Sequence, residues 1–210
     1  MNNRNWCNYF NNIQNKYNLS LTQRKPIVIF LDGKDITKSF EFDLISEEKG
    51  SFNDAFEQTI KEISKKMGCI AIFGVDEVSF IFEDGLQLSK CVSTKKMRTH
   101  EIVSSFSQNF YKCFKDKYKN GTVYWHCKCS NIPKTKLKSY IKFRSITIHE
   151  TMLTYFLKRQ NIKNSGKIAL NDKIKMCEQI PYYQNIKHME KGRLYVAGEY
   201  VELTTYLEQE

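Results

Sequence analysis

Between Pro26 and Phe82 the sequence places an apolar run, a stretch of helical periodicity and two further apolar runs in succession. That order limits what the chain can fold into more than any other feature. The first run, Ile27-Val28-Ile29-Phe30-Leu31, opens after Pro26 and stops at Asp32-Gly33. A short β-branched run bounded by Pro and Gly predicts a buried central strand. Phe52, Phe56, Ile60, Ile63 and Met67 then share one face of a helix that Gly68 ends. Cys69 to Phe73 and Val78 to Phe82 flank Gly74-Val75-Asp76-Glu77, which predicts a hairpin with Asp76 and Glu77 at or beside its tip. Gly74 is expected to supply a positive φ at that turn.

Downstream, the spacing of Ile102, Phe106, Phe110 and Phe114 predicts a long helix from about Cys91 to Tyr118. Thr122-Val123-Tyr124-Trp125 reads as a fourth strand. Strand, helix, strand, strand, helix, strand is the split βαβ, or ferredoxin-like, order of an α+β protein. Upstream, Trp6, Tyr9, Phe10, Ile13 and Tyr17 mark one face of an amphipathic helix. The rest predicts helices near Lys134 to Tyr140, Ile146 to Arg159 and Asn171 to Gln179, then a hairpin around Leu194 to Leu203. No repeat or low-complexity linker interrupts the chain. The expected layout is therefore a core at 1–130 with its N-terminal helix, and a helical region at 131–210 packed on it as a single compact unit.

If the strands ending at Leu31 and beginning at Val78 pair centrally, Asp32 and Asp76 meet at one end of the sheet. Two close carboxylates repel, and burying them is costly unless cations neutralise the charge. Mg²⁺ suits such a pair, being a hard ion held by one or two carboxylates plus substrate phosphates. Two such ions can activate an attacking hydroxyl and stabilise a leaving phosphate oxygen. Singly, each motif has a plainer reading, since Asp-Gly after a strand is commonly a turn and Asp-Glu at a hairpin tip is commonly solvated. A ferredoxin-like binding module is the alternative.

Lys and Arg number 33 against 23 Asp and Glu, a formal charge of +10 that suits a polyanionic partner such as nucleic acid. A lysine-rich surface without such a partner is the plainer alternative. Lys112, Lys115, Lys117 and Lys119, then Lys134, Lys136, Lys138, Lys142 and Arg144, form the densest basic stretches. They interleave with Tyr118, Tyr140 and Phe143, which suits a surface that tracks an RNA strand. Seven scattered cysteines and an opening without the pattern of a secretory signal predict reduced thiols in a cytoplasmic protein. No run approaches the length of a membrane span. His126-Cys127-Lys128-Cys129 lacks a second ligand pair for zinc, so on a strand both cysteines are expected to point inward.

Four segments resemble, in order, the tRNA-His guanylyltransferases and their relatives, the 3′–5′ polymerases. Leu31-Asp32-Gly33-Lys34, with Phe40 beyond it, is similar to the family's first metal motif, and Gly74 to Phe80 to its second. Tyr140-Ile141-Lys142-Phe143-Arg144 with His149 resembles its Tyr-x-x-Trp-Arg stretch and following His. Glu190 to Val196 resembles its closing Arg-Lys-Gly strand.

The resemblance implies a polymerase-palm sheet. Asp32, Asp76 and the carbonyl of Gly33 would bind two Mg²⁺, with Asp32, Asp76 and Glu77 as the catalytic carboxylates. A nucleoside triphosphate would lie over Gly33, Lys34, Asp35, Ile36, Thr37 and Lys38, with Lys95 and Arg98 (beside Lys96) near its phosphates. Lys138, Lys142, Arg144 and His149 would meet RNA. The implied activity is a nucleotidyltransferase that activates a 5′-monophosphate RNA end with ATP or GTP and adds a nucleotide there, on tRNA or a similar RNA. Tetramers occur in that family, so a homo-oligomer, dimer or tetramer, is also implied.

The chain departs from the pattern at three places. It offers Thr37 or Lys38 where the family has His, sets Gly74-Val75 directly before Asp76 where the family has Gly-x-Ser, and continues His149 with Glu150-Thr151-Met152 where the family has Ile-Asn-Asn. These departures motivate two alternatives: a diverged palm enzyme that makes a nucleotide signal or modifies a non-tRNA target, and a non-catalytic RNA-binding palm.

Overall fold

The computed structural model describes residues 21–22, 24–34, 36, 46, 48–91 and 99–208. The helix expected at 6–17 lies outside the described residues, as do Asp35, Thr37, Lys38, Lys95, Lys96 and Arg98. Six antiparallel strands form one sheet: β1 (Ile27–Lys34), β2 (Ile70–Phe73), β3 (Glu77–Phe82), β4 (Tyr124–Asn131), β5 (Arg193–Val196) and β6 (Glu199–Val201). Their order is β4-β1-β3-β2-β5-β6. The first four strands reproduce the expected split βαβ arrangement, and the late hairpin extends it at the β2 edge.

Two helices cover one face. They are α1 (Phe52–Met67) and α3 (Thr99–Lys117), with the short α2 (Gly85–Cys91) between them in sequence. Ser51 caps α1 by accepting from the Asp54 N–H at 3.2 Å, which satisfies one of the otherwise orphaned first-turn donors. Phe52, Phe56 and Ile60 of α1 meet Phe106, Phe110 and Phe114 of α3 and the inward side chains Ile27, Ile29, Leu31 and Phe80. Trp125 of β4 joins this core, stacked on Phe56 with centroids 5.3 Å apart.

The opposite face receives α4 (Leu137–Arg159), whose Tyr140, Ile141, Phe143 and Ile148 pack on Val28, Ile70, Ile72, Ile81 and Leu194. α4 is one continuous helix, where the sequence predicts two pieces separated at 141–145. Nothing in Ile-Lys-Phe-Arg-Ser breaks a helix. The first half buries its apolar residues on the sheet, while Met152, Leu153, Phe156 and Leu157 of the second half join the larger core. No single stripe therefore runs its length, and periodicity alone hides the continuity. Two further helices, α5 (Leu170–Glu178) and α6 (Tyr183–Ile186), and a last short α7 (Leu203–Glu208) complete the described chain.

Two strand boundaries also differ from expectation. β4 begins at Tyr124 and runs to Asn131, beyond the predicted 122–125, because Trp125, Cys127 and Cys129 alternate into the core while Tyr124, His126 and Lys128 alternate outward. β1 continues past Leu31 to Lys34, since β4 pairs with it as far as Lys34↔Tyr124.

Candidate active site

The β1–β3 register pairs Leu31 with Val78 and Asp32 with Glu77. This puts the Asp-Gly of β1 beside the Gly74–Glu77 turn, as the pairing argument requires. The Gly33 N–H donates to the Asp76 carbonyl at 2.9 Å, and the Gly74 N–H to the Glu77 carbonyl at 3.0 Å. Both glycines are required by close approach. A Cβ on Gly33 would meet the Ile36 side chain at 1.7 Å, and one on Gly74 would meet Ile148 of α4 at 2.4 Å. Gly74 has no positive φ, contrary to expectation, and its smallness is what lets α4 cross the turn.

Three carboxylates converge here on one guanidinium. Asp76 is 9% exposed, and Glu77 is bound by Arg144 at 2.6 Å. Burial is the largest influence on all three acids. It pushes Asp76 up to about 7, helped by repulsion from Glu77 and Asp32. It also raises Asp32, against the attraction of His126, Arg144 and Lys128. Glu77 is raised by burial too, although Arg144 opposes this. Arg144 itself is 5% exposed and lies over the Phe30 ring at 4.3 Å. The ring face attracts the cation, so the guanidinium is held toward the acids.

These residues fit a divalent cation. Asp76 is buried and Glu77 and Asp32 partly so, and burial raises all three despite Arg144 and, at Asp32, His126 and Lys128, a penalty on negative charge that a cation would relieve. Among the described residues no group of three or more His, Cys, Asp or Glu side chains is arranged to enclose an ion. Mg²⁺ commonly takes only one or two carboxylates, keeping several waters and completing its shell with substrate phosphates. A fully enclosing site would suit Zn²⁺ or Ca²⁺ better.

The remaining expected residues are placed as follows. Lys34 is exposed at the end of β1, whereas Ile36 is buried in the core. Lys138 and Lys142 are exposed on α4. Arg144, on the same helix, is buried against Glu77 and not on the outer surface. His149 is half-buried, 3.6 Å from Glu190, and burial lowers its pKa while Glu190 opposes the shift. Tyr118, Tyr140 and Phe143 are all buried, so the aromatics expected to interleave with the lysines offer no stacking face beside them. Cys127 and Cys129 sit against the core, and burial pushes the Cys129 thiol up to about 12. His126 points to the other side of β4, away from both thiols.

Three features were not read from the sequence. Tyr140 and Ser79 share a buried hydrogen bond of 2.9 Å that pins α4 to β3 next to the acids. Ser145 donates to the Lys191 carbonyl at 2.7 Å and His149 faces Glu190, so the segments around Tyr140–His149 and Glu190–Val196 are docked together. Finally, His126 and Lys128 lie near Asp32. Their two-residue alternation with Trp125, Cys127 and Cys129 was the available signal.

No family model and no curated protein matches the sequence. Solved structures do match. A bacterial tRNA-His guanylyltransferase-like protein in complex with ATP superposes with a TM-score of 0.58 at 16% identity, covering 93% of this chain and 85% of that one. A GTP complex of such a bacterial protein gives 0.59 at 15% identity, with 92% and 83% covered. The tRNA-His guanylyltransferase of Saccharomyces cerevisiae gives 0.56 at 16% identity, with 90% and 92% covered. At these identities the likeness establishes a shared fold over nearly the whole chain.

Proposed function

We propose that this protein is a divalent-cation-dependent nucleotidyltransferase that adds a nucleotide to the 5′ end of tRNA or a similar RNA, in the 3′–5′ direction, after activation by ATP or GTP. The observation that carries the reading is the meeting of Asp32, Asp76 and Glu77 at the ends of paired central strands, with Arg144 bound to Glu77 and His126 and Lys128 on the Asp32 side. The fold shared with tRNA-His guanylyltransferase-like structures, two of them in complex with ATP or GTP, supports it.

Each residue then has a role it can perform where it stands. Asp32 and Asp76 would hold Mg²⁺, and the bound ions would supply Lewis-acid stabilisation of the phosphoryl oxygens and activation of the attacking hydroxyl. Glu77 fixes Arg144, and Arg144 keeps the acids from carrying their full repulsion. Lys34, exposed at the end of β1, is available to the triphosphate. The Gly33–Asp76 backbone bond sets the two acids in register, and positioning of this kind supplies much of the catalysis in phosphoryl transfer.

The test is incorporation of radiolabelled nucleotide into 5′-monophosphorylated tRNA, with Mg²⁺, ATP and each NTP in turn, for wild type and Asp32→Ala. Label at the 5′ end with wild type alone is expected. A new small nucleotide product made without RNA would redirect the reading to a signalling enzyme. Metal-independent RNA binding with no product would redirect it to a binding module.

A further inference from the structure

Among the described residues, the face of the sheet on which α4 packs is only half covered. α4 packs on side chains of β1, β3, β2 and β5. Toward the β4 edge, the same face carries three registered pairs: Lys34 with Tyr124, Asp32 with His126, and Phe30 with Lys128. Lys34 and His126 are exposed, Phe30, Asp32 and Lys128 are half-exposed, and Tyr124 is 70% exposed. β4 is the edge strand, and α3 packs on its opposite face. A large aromatic left this open on a strand gains nothing from folding, since the core side of β4 is already filled by Trp125, Cys127 and Cys129.

We propose that this open strip seats the terminal nucleotides of a single RNA strand, with Tyr124 stacking on a base and Lys128 and His126 meeting backbone phosphates, so that the strand end arrives at the carboxylates. The proposal rests on the nucleotidyltransferase reading for its direction, and on the strip's own chemistry for its occupant. Successive outward side chains on β4 stand about 6.8 Å apart, two residues of strand rise, comparable with the spacing of nucleotides in an extended strand. An aromatic followed by polar and basic groups at that interval is the pattern of sequence-tolerant single-strand binding. The chain's +10 charge favours a polyanion over a protein partner. The pairing also explains a contrast within the strip. Asp32 lies on β1 beside the turn that carries Asp76, and the groups that attract RNA lie one strand out, with His126 directly in register with Asp32.

The experiment uses the full chain and a 3′-fluorescein, 5′-monophosphorylated ten-nucleotide unstructured RNA, read by anisotropy across a salt series in Mg²⁺-free buffer. ATP binding to each variant is measured separately by calorimetry with Mg²⁺ present. Tyr124→Ala is expected to weaken RNA binding about tenfold, and Tyr124→Phe to bind like wild type. Lys128→Ala should lower the slope of log affinity against log salt by about 0.7, one phosphate contact on a single strand. Lys66→Ala, an exposed lysine on α1 at the other face, should change neither. Wild-type RNA affinity and salt slope in both Tyr124→Ala and Lys128→Ala would overturn the proposal. So would a shift in sedimentation of Tyr124→Ala with RNA binding intact, because β4 would then pair with a second copy. Binding is read without turnover. An absence of 5′ incorporation by wild type therefore counts against the nucleotidyltransferase reading and leaves the strip to be judged by the binding series.

Discussion

Among the described residues two buried arginines flank the sheet in similar dress, one on α4 and one on β5, and only the second is in charge balance. Arg193 on β5 is 8% exposed and lies 4.5 Å over the Phe73 ring, while Arg144 is 5% exposed and lies 4.3 Å over Phe30. Each pairs with a glutamate, Arg193 with Glu57 and Arg144 with Glu77. Around Arg193 the partners are completed locally. Its second nitrogen donates to Asn53 at 2.6 Å, and Glu57 also accepts from the Tyr195 hydroxyl at 2.7 Å. Around Arg144 the same pair has two further acids beside it, and burial first, then repulsion from Glu77 and Asp32, pushes Asp76 up to about 7. One cation against one anion, fully hydrogen-bonded, is a scaffold that ties β5 to α1. Around Arg144 two acids beyond its ion-pair partner share the site, and Asp76 is buried between Glu77 and Asp32, an arrangement that favours an added positive charge. The location of the surplus, not the presence of buried charge, separates site from support.

The sharpest way to break this comparison is to remove the surplus. Asp76→Asn is expected to cut nucleotide incorporation by about 10³-fold, roughly 4 kcal/mol of transition-state stabilisation, in single-turnover assays. The same change relieves repulsion in the metal-free protein, so its Tm should stay level or rise. A large fall in Tm would mean that Asp76 holds the fold and not a cation. The mirror experiment removes the balanced arginine. Arg193→Ala leaves the part-exposed Glu57 with the Tyr195 hydroxyl but without its cation, and is expected to cost about 2 kcal/mol in denaturant unfolding. Its effect on chemistry should follow only from lost folded protein. Incorporation per folded molecule that falls as far as in Asp76→Asn would erase the distinction between the two arginines.

Much of this site was legible from the chain because strands announce themselves through short apolar runs. Ile27–Leu31 and Val78–Phe82 read as strands, and if they pair centrally Asp32 comes beside the Asp76 turn, which is the register found. Arg144 was harder to place. It belongs to a lysine-rich helix, and which residues of that helix face inward depends on the sheet beneath them. Lys142 points out and Arg144 points in, two positions apart, with nothing local to distinguish them. Tyr140 and Phe143 misled in the same way: aromatics among lysines suggest an RNA surface, yet they are the packing face of α4. The open strip on β4 was missed because His126-Cys127-Lys128-Cys129 draws attention as a ligand motif. Both cysteines were expected to point inward, which already turned His126 and Lys128 outward, and Trp125 in the core extends the same alternation to Tyr124. What the chain does not encode locally is the facing of one element by another, and that is where these readings diverged from the structure.

The smallest expected effect sharpens the comparison through protons. Asp76 has a folded pKa near 7, raised above its unfolded value of about 4. An acid shifted in this direction favours the folded state while it stays protonated. Its contribution is fully present below about pH 4 and is lost as pH rises toward 7. Metal-free protein should therefore melt at a lower temperature at pH 8 than at pH 6, and Asp76→Asn should reduce that difference. Mg²⁺ should act in the opposite sense, because at pH 6 a proton still occupies much of Asp76 and competes with the ion. Ten millimolar Mg²⁺ is expected to raise the Tm by a few degrees at pH 8, about 1.4 kcal/mol if the concentration is tenfold above Kd, and by less at pH 6. Neither increment should survive in Asp76→Asn, and both should survive in a Tyr195→Phe variant, which alters only the balanced cluster. Mg²⁺ stabilisation equal at the two pH values would place the ion elsewhere and leave the surplus charge at Arg144 without its proposed partner.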